Sequence, residues 1–181
     1  CIVYLAVQPP RDGRNQSMIR KYRFFTNIHQ QEASGSVSIF PFACMKTGLP
    51  FGAVIARGGE IVAEGVNRVT SQHDPTAHAE VQAIRKACSE LNTFDLTGLD
   101  IYASCEPCPM CLGAIYWAHL DHLYFAGTKD DAARIGFDDA FIYKELPLPI
   151  HERKLPTKAM MNAEAQAPFV AWQEKDDKVE Y

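Results

Sequence analysis

Apolar and polar positions delimit most of the elements from about residue 50 onward. Residues 51–56 and 60–65 are two apolar, β-prone runs separated by Arg57-Gly58-Gly59, a spacing that predicts a hairpin. Asp74 or Thr76 then offers an N-cap for a helix running from residue 77 to about 91. Thr97-Gly98-Leu99 breaks the pattern before a short strand over 100–103. Pro109 suits the first position of a second helix, with Cys108 as its N-cap and residues 113–118 as its continuation. A strand over 122–127, a short helix over 129–135 and the loop Gly136-Phe137-Asp138-Asp139 follow. A hairpin followed by alternating helices and strands predicts an α/β fold, a three-layer α/β/α sandwich with a mixed central sheet.

The beginning of the chain is different. Residues 1–40 form an unassigned extension, atypical or disordered, ahead of a single domain over 41–181. Residues 31–46 contain Ser34-Gly35-Ser36 and Pro41, which is poor helix material. Because the chain opens on Cys1, Met18 and Met45 are expected as alternative starts.

Composition narrows the class of molecule. With 181 residues, 47% hydrophobic and 22% charged, the chain suits one globular domain with a sizeable core. A nucleic-acid surface needs a stripe of Lys and Arg to displace counterions. The net charge is -4, the basic cluster Arg20-Lys21-Tyr22-Arg23 precedes the patterned region, and residues 174–178 mix signs, so a small substrate is expected and no nucleic acid. The longest apolar run, 2–7, is too short for a membrane span, and no complete secretory signal is visible. The expected location is cytoplasmic, with no membrane partner and with the six cysteines reduced.

The candidate chemistry lies in two strings. His78 and Glu80 spell H-x-E, and Pro107-Cys108-Pro109-Met110-Cys111 spells P-C-x-x-C. One imidazole and two thiolates give zinc (Zn2+) three protein ligands, and a tetrahedral ion with three leaves its fourth position to water. Residues two apart on a helix face nearly opposite sides, so Glu80 is read as the acid/base catalyst and not as a fourth ligand. Cys108 and Cys111 open a helix, where the positive end of the dipole favours thiolate. Alone, a C-x-x-C is also half of a structural ribbon or a redox pair, Cys105 offers a rival C-x-x-C with Cys108, and a lone H-x-E carries little. Cys105 precedes the helix and is expected to be a small buried side chain at a strand end. The combined strings match the pattern of zinc deaminases.

From Pro50 to Glu145 the chain resembles the cytidine deaminase superfamily and, within it, the bacterial-type guanine deaminases. The matching strings are Pro50-Phe51-Gly52-Ala53-Val54-Ile55, Asp74-Pro75-Thr76-Ala77-His78-Ala79-Glu80, residues 104–118, and Gly136-Phe137-Asp138-Asp139 with Phe141-Ile142-Tyr143-Lys144-Glu145. Pro168-Phe169, Ala171-Trp172 and Glu180-Tyr181 extend the likeness into the tail. The resemblance implies hydrolytic deamination of guanine to xanthine and ammonia by a zinc-bound hydroxide, with Glu80 as the proton shuttle. It implies that Asn67 and the amide of Ala79 bind the purine, that Phe51 and Trp117 wall it, that Asp139 takes purine N–H groups and that Tyr181 closes the pocket. A homodimer exchanging C-terminal segments is also implied. Simpler roles compete: Phe51 and Trp117 as core residues, Asp139 as a turn cap, Tyr181 as a frayed end. Guanosine, cytosine or tRNA adenosine are the alternative substrates, and a non-catalytic zinc-stabilised module is the alternative class. One departure stands out, because the family places an amphipathic helix ahead of Pro50 where this chain has residues 31–46.

Overall fold

The computed structural model describes residues 3–6, 36–39 and 49–180. In the N-terminal extension, β1 (Val3–Ala6) and β2 (Ser36–Ile39) pair as an antiparallel ribbon. Cys44, Met18 and Met45, and the rest of the stretch expected to be poor helix, lie outside the described residues. The chain divides into two compact units, Cys1–Asp138 and Asp139–Tyr181.

In the first unit a four-stranded sheet has the order β4-β3-β5-β6, built from β3 (Gly52–Arg57), β4 (Glu60–Val66), β5 (Asp100–Cys105) and β6 (His122–Gly127). β3 is antiparallel to both β4 and β5, whereas β5 and β6 are parallel, so the expected mixed central sheet of an α/β fold is present. The β3–β4 hairpin closes at Gly58 and Gly59, with φ of 54° and 91°. Two successive positive φ values define the type I′ turn whose twist matches the strands, and only glycine adopts them freely. A parallel pair cannot be joined by a tight turn, and helix α3 (Pro109–Trp117) makes the crossover from β5 to β6.

Helix α1 (Val69–Gln72) is a single turn, and α2 (Ala79–Leu91) is the long helix packed on the sheet. Ala79, Ala83 and Ala87 recur at the four-residue spacing of one helix face, and all are buried. That small-residue stripe lets the helix backbone settle on β4, where an added Cβ on Gly65 would lie 2.1 Å from the Ala79 carbonyl oxygen and 2.5 Å from the Ala83 nitrogen. Larger side chains fill the space beyond it: Ile55, Leu96, Leu99 and Ile101 are fully buried, each stabilising the fold by about 1.5–3 kcal/mol. Helix α4 (Lys129–Arg134) closes the unit, capped by Thr128, whose hydroxyl accepts from the Asp131 amide while Asp131 accepts from the Thr128 amide.

The second unit holds α5 (Ala140–Glu145) and α6 (Gln166–Gln173). Arg153 donates to the carbonyls of Leu146 and Leu148, which follow the end of α5, and the Lys154 amide donates to Glu145 at 2.6 Å. Phe141, Leu146, Ile150, Phe169 and Trp172 all expose large apolar side chains. Among the described residues no helix is long and apolar enough to cross a membrane.

One expected boundary is corrected. The helix expected from residue 77 starts at Ala79, and His78 is its N-cap, with φ -67° and ψ 157°. Neither Asp74 nor Thr76 caps it. The Asp74 carboxylate instead accepts from the Thr76 amide at 2.8 Å, which gives the preceding loop a turn of its own.

Candidate active site

The site forms where α2 and α3 begin. His78 and Cys108 are both N-caps in extended conformation, and Cys111 lies in the first turn of α3 behind Pro109. Pro109 suits that position because its missing N–H would have had no helical partner. Nδ1 of His78 lies 3.6 Å from Cys108 Sγ and 3.4 Å from Cys111 Sγ. The three potential ligand atoms all fall within 4.8 Å of one another.

These separations fit zinc. Bonds of about 2.3 Å to sulfur and 2.0 Å to nitrogen, set at tetrahedral angles, place sulfur and nitrogen ligands about 3.5 Å apart. The residues that would hold the ion are therefore His78, Cys108 and Cys111. Cys105 is not among them. It ends β5, is buried and donates its thiol to the Thr128 carbonyl at 3.4 Å.

Without metal the sulfurs differ in charge. Contact with Cys111, foremost, and with His78 holds Cys108 down at about 4 against the cost of burial. The same contact with Cys108, burial and the neighbouring Glu80 carboxylate push Cys111 up, so Cys111 keeps its proton.

Glu80 sits in the first turn of α2 and is 8% exposed. Its Oε2 accepts from Cys111 Sγ at 3.4 Å. Burial raises its pKa, against the opposing pull of its own amide and the Cys111 thiol. A buried carboxyl with a raised pKa beside a metal cluster is suited to exchanging protons and poorly placed to remain an inert surface charge.

Asn67 follows β4 and is 5% exposed. Its amide donates to the Phe51 carbonyl at 3.1 Å, and its Oδ1 accepts from the Val69 amide at 3.0 Å. Ala79 is the first residue of α2, whose first intrahelical bond runs from Gln82 to the His78 carbonyl. The Ala79 amide is thus one of the donors that a helix start leaves for an outside acceptor. Phe51 packs on the core and meets Phe137 edge to face, with ring centroids 4.9 Å apart.

Trp117, Asp139 and Tyr181 are the remaining assigned residues. Trp117 ends α3, about 9 Å along the axis from Cys111 by helical rise, and is 65% exposed. Asp139 is the N-cap of α5 in the second unit, and Tyr181 lies outside the described residues. Sequence reasoning gave no role to Phe137, to Ser104, whose hydroxyl accepts from the Gly52 amide at 3.0 Å, or to Glu106, which accepts from the Lys129 amide at 3.0 Å. The Asp-x-Thr spacing of Asp74 and Thr76 was a readable signal for the turn described above.

The mixed sheet, two converging helix starts and a His-Cys-Cys cluster beside a buried glutamate are the parts of a zinc-dependent hydrolase. Residues 30–127 match the cytidine and deoxycytidylate deaminase zinc-binding region, and the chain belongs to that family. Within it the similarity runs to guanine deaminases. Guanine deaminase of Bacillus subtilis is 54% identical over 134 residues, which covers 74% of this chain and 86% of that protein. The X-ray structure of guanine deaminase from Bacillus subtilis superposes with a TM-score of 0.73 at 52% identity, covering 76% of this chain and 87% of the other. A tRNA-specific adenosine deaminase of Agrobacterium fabrum is 43% identical over 82 residues, 45% of this chain and 53% of its own length.

Proposed function

We propose that the protein hydrolyses guanine to xanthine and ammonia. The observation that carries this reading is the buried Glu80 in contact with the His78–Cys108–Cys111 cluster, in a chain whose likeness to guanine deaminase extends over most of both proteins. Zinc held by the three ligands would leave one position for water and lower that water's pKa to about 7.

The residues of this chain do the rest. Glu80 takes one proton as water attacks C2, the ring carbon bearing the amino group, and passes it to the adjacent ring nitrogen; it then carries the remaining hydroxyl proton to the amino group, which leaves as ammonia while the C2 carbonyl forms. A carboxyl whose pKa is raised by burial is suited to both directions of transfer. Asn67 presents its Nδ2 to an acceptor on the base, because Oδ1 is engaged by Val69. The Ala79 amide holds a second acceptor, and Phe51 walls the ring. The likeness to guanine deaminases further assigns purine N–H groups to Asp139, an apolar wall to Trp117 and closure of the pocket to Tyr181.

The reading includes a homodimer in which the second units are exchanged. Phe141, Leu146, Ile150, Phe169 and Trp172 expose more apolar surface than a short tail carries without a partner, and a second copy is the economical one. A cytoplasmic setting, where thiols stay reduced, suits the free Cys88, Cys105, Cys108 and Cys111.

The test is ammonia release from the zinc-loaded protein given guanine, guanosine, cytosine, adenine and tRNA side by side. Release from guanine alone is expected. Release from tRNA, lost at high salt, would replace the small-base reading, and release from none by folded, zinc-bound protein would leave a non-catalytic module. Sedimentation of the full chain is expected to give a dimer.

A further inference from the structure

The loop that carries both Asn67 and His78 buries little besides Asn67 itself and Ala77, which is 0% exposed beside His78. Its one helical turn, α1, buries no residue, and His78 lies outside α2 in extended conformation. What holds the loop is a set of hydrogen bonds. Arg68 donates its amide to the Ala77 carbonyl at 2.9 Å, and Asp74 donates its amide to Val69 at 3.2 Å, which joins the two limbs. The His78 amide donates to the Thr76 carbonyl at 2.8 Å, so the metal ligand hangs directly from Thr76.

Thr76 is fixed in turn by charge. Asp74 Oδ1 accepts from both the amide and the hydroxyl of Thr76, at 2.8 and 2.7 Å. These bonds, foremost the one from the hydroxyl, hold the Asp74 carboxyl below its usual range. From the second turn of α2, Arg85 reaches Asp74 Oδ2 at 3.6 Å and the Thr76 hydroxyl at 3.5 Å.

We infer that Asp74, Thr76 and Arg85 form a positioning clamp that sets His78 against the two cysteines and keeps Asn67 in register with them. None of the three supplies an atom to the His78–Cys108–Cys111 ligand set, and Thr76 reaches it only through the His78 backbone. The part concerning Asn67 rests on the base-binding reading above, and the part concerning His78 does not. Within the clamp the bonds to Thr76 outweigh the Arg85 pair, because an exposed ion pair is screened and contributes little, whereas a hydrogen bond to a carboxylate is charge-assisted.

The experiment is zinc affinity by competition with a chromogenic chelator, at a temperature where each variant is folded by circular dichroism. Asp74→Ala is expected to weaken zinc binding about tenfold, the equivalent of one lost charge-assisted bond. Asp74→Asn keeps the Oδ1 acceptor without the charge and is expected to fall between the two, about threefold weaker than the parent. Should Asp74→Ala not fold, Thr76→Val removes the hydroxyl at constant shape and is read the same way. A parallel rise of KM for guanine with a smaller change in kcat is expected for Asp74→Ala. Zinc is measured without substrate, so failure of the guanine assignment leaves this readout intact. Zinc affinity unchanged in a folded Asp74→Ala or Thr76→Val protein overturns the clamp, as does an Asp74→Asn protein no better than Asp74→Ala.

Discussion

Cys111 Sγ lies 3.4 Å from Glu80 Oε2, so a candidate metal ligand and the proposed proton carrier are in direct contact. The two jobs are nevertheless separable, because the ligand set is complete without the carboxylate. Glu80→Gln is expected to retain one zinc per chain and to lose about 10²- to 10⁴-fold in kcat, the usual worth of a positioned acid/base group. Metal content by emission spectroscopy beside steady-state rates checks both halves. Loss of zinc in this variant would make Glu80 a ligand.

Zinc loading should depend on pH in one direction. In the metal-free protein Cys108 is ionised, at about 4, whereas contact with Cys108, burial and Glu80 keep Cys111 protonated. Coordination needs both thiolates, so binding expels the Cys111 proton and competes with it. Affinity is expected to weaken as pH falls, by up to about tenfold per pH unit per proton released. Chelator competition across roughly pH 6 to 8 measures the slope, and a flat profile would show that no proton leaves.

Gly65→Ala is expected to destabilise the fold by about 1–3 kcal/mol or more, as overpacking does where the neighbour cannot yield. Its Cβ would meet the backbone of α2 at Ala79 and Ala83, not a flexible side-chain end. The midpoint in a urea titration is expected to fall.

Thr128→Ala removes the reciprocal cap at the start of α4, whose Asp131 also pairs with Arg134. The expected cost is about 1 kcal/mol. The Asp131 carboxylate still accepts from the residue-128 amide, so the helix should survive, with a melting temperature lower by a few degrees.

Local chemistry that one residue decides was readable in advance. Pro109 marked the start of α3, and Gly58-Gly59 marked the hairpin tip; each has the backbone preference its position demands. The strand over His122–Gly127 and the helix beginning at Lys129 fall where the pattern put them. The start of α2 was not readable, because Asp74 can cap a helix or close its own turn, and Arg85, nine residues beyond Thr76, takes part in the outcome. The gathering of His78, Cys108 and Cys111 was legible from their types and spacing taken with the neighbouring strings, because neither motif decides it alone. The meeting of Phe51 with Phe137 was not, because no local periodicity encodes a contact made across the fold. Similarly, Phe141, Leu146, Ile150, Phe169 and Trp172 are exposed apolar side chains, and nothing local in the sequence names what covers them.

His78 and Cys108 are 30 positions apart in the chain, and a metal bridging them closes that stretch into a ring. A covalent cross-link over a loop of this length removes chain entropy from the unfolded state worth about 4 kcal/mol. The ion that equips the site for hydrolysis is then also a staple between the starts of two helices. Chelation is expected to lower the melting temperature of a Glu80→Gln protein, whose turnover is crippled, as much as that of the parent.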